Sequence, residues 1–377
     1  MRIPALLLLS VSLYAADLRF VEHTLATDLK GGYQVVAVDM NKDGRTDLIA
    51  LASGLPDLLW FENPGGGGGE WIRHVVVGNQ SKMINCAAFD TDGDGIPEIV
   101  LASEFANEAK KSIGIVSVLK HNGNPSEPWT VTEIDRLTTS HRLRWADIDG
   151  SGSRVLVNAP LTGAKAEAPE YRDHVPLVYY RPGTWKRELF SDANEGVQHG
   201  IYIVDWDKSG RDAILTASFS GIHLYRFNKR KWTRTELAKG DPSPAPKSGS
   251  SDVAVGKFEK ERFVAAIEPW HGNQVVVYSA RGKRSVIDES LVDGHTIATA
   301  DLDGDGQDEI IAGYRGKGRS VHLYRYGGES WAKTTLDEGG MAAAACAAAD
   351  LNKDGKVDIA CIGSATTNLK WYENVSR

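Results

Sequence analysis

Three of the ten histidines in this 377-residue chain keep one spacing. His141, His199 and His295 each stand six residues before an aspartate (Asp147, Asp205, Asp301) that ends an apolar run and opens a polar, glycine-containing loop. A lone histidine at a strand end is usually a satisfied polar residue, but three at one structural position are harder to assign to chance. Neutral imidazoles around a common axis suit Zn²⁺ or a similar divalent ion, with an open position left for water or substrate. The spacing predicts a catalytic metal centre on His141, His199 and His295. His23, His74, His121, His223 and His322 read as structural, and His174 as intermediate.

A second pattern is acidic. "DLDGDGQDE" sets oxygen ligands at loop positions 1, 3, 5 and 9, much as a calcium loop does. The pattern occurs at Asp39/Asn41/Asp43/Asp47, Asp90/Asp92/Asp94/Glu98, Asp301/Asp303/Asp305/Glu309 and Asp350/Asn352/Asp354/Asp358. Such loops hold structural calcium, or their Asp side chains accept backbone N–H bonds with no ion. Either way a motif repeated around a molecule reads as scaffold.

Both patterns sit inside a larger repeat: an apolar strand, a polar loop, a second apolar strand, then a third and often a fourth. Seven copies end their first strand at Asp39, Asp90, Asp147, Asp205, Lys257, Asp301 and Asp350, with a period of 44 to 58 residues. With 39 Gly and 10 Trp and few helical patterns, the chain is expected to be all-β. The fold predicted is a seven-bladed β-propeller of four-stranded antiparallel blades. The last copy stops at "LKWYEN" and the chain opens with an orphan strand, "LRFVEHTLA", so the N-terminal strand should complete the last blade and close the ring.

Innermost strands line the central channel, so the three histidines should face it; their equivalents are Tyr33, Ile84, Ser251 and Ala344. Loops after each second strand share that end of the ring. They bring Glu104, Glu268, Trp270, His271, Tyr314, Arg315 and Lys317, and a long loop adds Lys165, Tyr171, Arg172, Asp173 and His174. A concave mouth with convergent polar groups is the default site.

Composition excludes some partners. A net charge of -7 argues against nucleic acid or an anionic membrane. "MRIPALLLLSVSLYAA", residues 1–16, reads as a signal peptide for export to the periplasm or beyond the cell, with the propeller over 17–377. No later segment is apolar enough to span a bilayer. Of three cysteines, Cys346 and Cys361 are placed to face each other on paired strands, as a disulfide or as small buried thiols.

"HRLRWADIDGSG", "HGIYIVDWDKSGRDAILTASF", "EPWHGNQVVVY" and "DGHTIATADLDGDGQDEIIAGYRGKG" resemble the propeller domain of the aldos-2-ulose dehydratases, from about His141 to Tyr326. The acidic repeats also resemble the wider FG-GAP/VCBS class, which implies a fold and no activity. The closer resemblance implies loss of water from a keto-sugar such as 1,5-anhydro-D-fructose, giving an enone, with a divalent metal in the propeller pocket. The fungal pattern continues into cupin domains that are not seen before Arg377, so the family's second step, isomerisation of the first product, is not expected.

Elimination beside a ketone needs a base for the α-hydrogen, an electrophile for the enolate oxygen and an acid for the departing hydroxyl. On this reading a metal on His141, His199 and His295 polarises the carbonyl, and His271 or Tyr314 exchanges the protons in either order. Glu268 orients His271 or completes the metal shell. Arg315 binds sugar hydroxyls or developing negative charge, Trp270 offers a flat face to the ring, and Tyr33, Tyr171 and Arg172 complete the substrate contacts. A polysaccharide lyase is the second enzyme reading, but it needs an extended cationic groove for an oligosaccharide. The third is a carbohydrate-binding or adhesion propeller, whose binding residues would repeat from blade to blade.

Overall fold

The structure is a computed structural model and describes residues 18–66, 69–258 and 260–376. The signal-peptide expectation lies outside these residues. Seven four-stranded antiparallel sheets form a propeller. The innermost strands of blades 1 to 7 are Gly32–Val38, Asn85–Phe89, Ser140–Ala146, Gln198–Val204, Asp252–Phe258, Gly294–Ala300 and Ala343–Ala349. The first strand, Phe20–Ala26, pairs with the last, Leu369–Asn374, and becomes the outer strand of blade 7. The ring is thus closed as expected. Helix among the described residues is one short 3₁₀ turn, Ala109–Lys111.

Burial explains the strand sequences. Second strands such as Asp47–Ala52 and Glu309–Tyr314 are buried along their whole length, because neighbouring blades cover both faces; they therefore read as apolar runs rather than alternations. The core lies between blades. Leu215 and Leu224 of blade 4, for example, pack with Val264 and Val276 of blade 5, and each such side chain stabilises by roughly 2 kcal/mol. Outer strands such as Thr130–Arg136 are largely exposed.

The acidic loops sit at the far ends of the innermost strands and are braced from within. Asp39 accepts the Gly44 N–H at 2.7 Å, and Asp47 accepts those of Met40 and Asn63 at 2.8 and 2.7 Å. Glu309 and Asp358 likewise accept the N–H of Leu302 and Leu351. Asp90/Asp92/Asp94 and Asp301/Asp303/Glu309 each gather three carboxylates, with Lys120 beside Asp92 and Arg325 beside Asp303 as counter-charges.

The calcium sets expected at loop positions 1, 3, 5 and 9 are not assembled whole, because side chains in every loop are committed to nearer partners. Among the described residues the carboxylates Asp39, Asp43 and Asp47 do not converge, and neither do Asp350, Asp354 and Asp358. Asp43 accepts the Arg45 N–H at 2.8 Å and pairs with its guanidinium. Asp354 accepts the Lys356 N–H at 2.9 Å. Asn41 and Asn352 use their Oδ1 atoms to accept the N–H of Asp43 and Asp354, and their Nδ2 groups to reach Glu62 and Glu373. Glu98 falls outside the Asp90 trio: it takes the Thr91 N–H at 2.8 Å and has Lys120 at 3.5 Å. Asp305 falls outside the Asp301 trio because Gln307 donates to both of its oxygens. Short polar side chains that bond backbone two residues on brace the turn.

Cys346 and Cys361 are register partners on the first two strands of blade 7 and form a disulfide. It crosses 15 residues; breaking a loop of that size costs about 3 kcal/mol in the chain-entropy account. Cys346→Ala should lower the unfolding free energy by that order, measured by urea denaturation without reductant.

His223, on the third strand of blade 4, is 1% exposed, and its Nε2 accepts a hydrogen bond from Arg234 at 2.7 Å. Burial first, then Arg234, lowers it to about 4. The unfolded chain takes up this proton near pH 6.5, before the folded chain does. Stability should therefore fall as pH drops from about 6.5 to about 4, by roughly 3 kcal/mol from this group. His223→Gln, which keeps an acceptor for Arg234, should flatten that part of the stability profile.

Candidate active site at the mouth of the central channel

The register position found in the sequence has a structural cause. In blades 1, 3, 4, 6 and 7 the pairing of the innermost strand slips by one residue, between Gly32/Gln34, Ser140/Arg142, Gln198/Gly200, Gly294/Thr296 and Ala343/Ala345. The residue left over is Tyr33, His141, His199, His295 and Ala344 in turn. A bulge of this kind re-aims a side chain out of the pleat, and Tyr33 and the three imidazoles turn into a cavity of about 620 Å³ at the mouth of the channel.

Each deep imidazole is fixed by the next blade. His199 Nδ1 lies 3.1 Å from the Ser251 carbonyl, and His295 Nδ1 lies 2.6 Å from that of Ala344. A carbonyl only accepts, so both Nδ1 atoms carry the proton and both Nε2 lone pairs face the cavity. The registers that lack histidine, Ser251 and Ala344, thus orient the histidines of blades 4 and 6. Burial foremost, then the Arg142 or Arg315 charge, holds His199 and His295 well below the usual imidazole range.

His271 completes the group from the loop after the second strand of blade 5. Its backbone lies in the left-handed region (φ 47°), held by a bond from its N–H to Ser251 Oγ at 3.2 Å. Its Nε2 is 3.2 Å from His199 Nε2, and one ring nitrogen from each of His199, His271 and His295 lies within 4.8 Å of the others. At Nδ1, His271 meets Asp293 Oδ1 at 3.1 Å and Arg315 Nη2 at 3.2 Å, an acceptor and a donor. Asp293 also takes two hydrogen bonds from the Arg315 guanidinium. Burial works against the Asp293 charge, but His271 and Arg315 hold its carboxyl down at about 2.

This set fits a divalent ion. His295 Nε2 is buried with no hydrogen-bond partner. Two nitrogens bound tetrahedrally to zinc at 2.0–2.1 Å stand about 3.3 Å apart, and those of His199 and His271 stand at 3.2 Å. Carbonyl and carboxylate partners behind the rings are the usual outer support of metal-binding imidazoles.

The residues named from sequence divide. His199, His271, His295, His141, Tyr33, Trp270 and Arg315 line one cavity. His141 stands outside the three-nitrogen cluster: its Nε2 is 2.8 Å from the Tyr33 hydroxyl, and His271 occupies the place expected for it. Glu268 does not reach His271. It is fully buried between Ser250, Tyr278 and Arg284, because it ends a strand whose side chain enters the inter-blade core. Tyr314 is also turned away, into the core against His322, while Arg315, just past the end of that strand, lines the cavity. Tyr171 packs edge-on against Trp270, and Arg172 is exposed outside the cavity lining.

Asp293 and Ser251 were missed. Asp293 lies in the connection into blade 6, and its one signal was its place two residues before His295. Asp293→Asn keeps the shape and removes the charge behind His271; metal affinity should fall about 10- to 100-fold, measured by competition with a chromogenic chelator.

The ring is a seven-bladed β-propeller, and residues 39–101 and 301–361 match FG-GAP-like repeats. Residues 113–281 match the family described as aldos-2-ulose dehydratase, β-propeller domain, in line with the resemblance read from the sequence. The aldos-2-ulose dehydratase of Phanerodontia chrysosporium is 23% identical over 262 residues, which span 60% of this chain and 29% of that protein. Among solved structures, the exotype rhamnogalacturonan lyase YesX aligns with a TM-score of 0.54 at 14% identity, over 94% of this chain and 75% of that one. BBS1N, in complex with ARL6DN, aligns at 0.57 and 11% identity, over 94% and 96%. These two likenesses are of fold.

Proposed function

We propose that the protein is a metal-assisted dehydratase of a small keto-sugar, with 1,5-anhydro-D-fructose as the first candidate. The observation that carries this reading is the convergence of His199, His271 and His295 nitrogens in a cavity that also presents Tyr33, Arg315 and Trp270. The matches to the aldos-2-ulose dehydratase propeller support it. His199, His271 and His295 would hold the ion, zinc by donor type, which supplies Lewis-acid polarisation of the ketone.

The remaining work falls to the protein. Loss of water breaks an α C–H bond and a β C–O bond and forms a C=C bond. One proton goes to a base, and one comes from an acid to the departing hydroxide. Tyr33, with His141 Nε2 2.8 Å from its hydroxyl, is the proton-handling group. Burial, then the Arg142 charge beside it, keeps His141 neutral, so its Nε2 accepts the Tyr33 O–H and holds that oxygen in place. Trp270, set by Tyr171 and Phe219, stacks on the sugar ring, and Arg315 binds a hydroxyl or the oxygen that gains charge. A cavity of about 620 Å³ suits a monosaccharide better than the extended groove of a polysaccharide lyase. We also assign the protein to the exported class, a reading supported by its disulfide.

The test is ultraviolet absorbance on mixing metal-loaded protein with 1,5-anhydro-D-fructose, because the conjugated enone absorbs where the substrate does not. A chelator-sensitive rise is expected; no rise from folded, metal-loaded protein overturns this substrate.

A further inference from the structure

Behind the imidazoles the channel opens into a second cavity of about 420 Å³, lined by innermost strands. Arg142 and Arg144 stand two residues apart on the blade 3 strand, so they share a face, and both line this chamber. Arg142 is 6% exposed; its Nη1 lies 3.2 Å from both the Tyr33 hydroxyl and His141 Nε2. Arg144 Nη1 donates to the Leu143 carbonyl at 2.8 Å and to Asn85 Oδ1 at 3.2 Å.

Neither guanidinium has a carboxylate within 4.0 Å among the described residues. Asp252 is the one carboxylate in the chamber's lining, and it accepts the N–H of Val253 at 3.0 Å. Two arginines against one aspartate leave the chamber with an excess positive charge, and guanidinium does not shed its proton. Buried charge is normally paired. Burial, then the nearby Arg142 charge, pulls Arg144 down to about 10, so the two cations repel one another across the space between them.

We propose that this chamber binds a small oxyanion, a phosphate or a simple carboxylate, between Arg142 and Arg144. A guanidinium offers paired N–H donors that bond two oxygens of a phosphate or a carboxylate at once. The site is distinct from the three-nitrogen cluster, although Arg142 also touches Tyr33 and His141 and Tyr33 and His295 line both cavities; its test reads binding and not turnover.

The experiment is calorimetric titration of inorganic phosphate into the full chain at fixed ionic strength, repeated with acetate in competition. Saturable binding is expected at one site per chain, displaced by acetate. Arg144→Gln should weaken it at least tenfold, and Asp252→Asn, which removes the opposing charge, should tighten it. If Arg144→Gln does not fold, Asp252→Asn carries the test, with Trp145, which lines the chamber, as a fluorescence probe of occupancy. Absence of saturable binding by the folded wild type, or an affinity unchanged in the variants that fold, overturns the proposal.

Discussion

His199→Ala is expected to abolish the proposed metal binding and to lower kcat/KM on a keto-sugar by roughly a thousandfold or more. His199 is central to the cluster. Its ring centroid is 4.9 Å from that of His271 and 5.1 Å from those of His295 and His141. Stability should change little, since the ring makes polar contacts only to Ser251 and His271 and faces a cavity that water refills. Bound metal measured by atomic emission is the direct readout. His141→Ala is the matched control: with His141 outside the three-nitrogen cluster, that variant should keep its metal and lose rate alone. Metal lost by His141→Ala as well would move the centre back to the trio expected from spacing, and metal retained by His199→Ala would rule out both sets.

Tyr33→Phe is expected to lower kcat by 10²- to 10⁴-fold, the usual worth of a positioned proton donor or acceptor, with KM and metal content nearly unchanged. The substitution removes one oxygen and keeps the ring, which packs edge-on against His295 at 5.3 Å. It also leaves His141 Nε2 without its 2.8 Å partner. Steady-state kinetics on the metal-loaded variant separate two roles. A raised KM with unchanged kcat would make Tyr33 a sugar-binding residue, as its place in the sequence first implied.

The fold was legible because the aspartate that ends six of the seven innermost strands acts as a ruler. Counting back from it found the residue that proves to be bulged in blades 1, 3, 4, 6 and 7, although nothing in the sequence marks the bulge itself. Residues off the strands were less legible. His271 was placed on the right face, but its approach to His199 depends on a left-handed backbone and a bond to Ser251 Oγ, and neither leaves a pattern. Ser251 and Ala344 act through backbone carbonyls, which every residue has, so their types carried no signal. In the acidic loops the spacing located the carboxylates but not their partners: Asp305 and Asp354 turn to the backbone two residues on, which a ligand pattern and an Asx turn predict with the same letters. Glu268 and Tyr314 were misjudged for a simpler reason: each ends a strand, and a one-residue error there reverses the side chain.

The pairing of Phe20–Ala26 with Leu369–Asn374 also sets when the cavity can form. His23 and Glu373, joined across that seam, are 350 residues apart, so at about 5–20 residues per second the first strand waits tens of seconds for its partner to be synthesised. The carbonyl that aims His295 belongs to Ala344, in the blade this seam completes. Tyr33 enters from the blade on the other side of the join. A nascent chain with six blades would therefore hold most of the side chains of the proposed site and still lack its finished cavity.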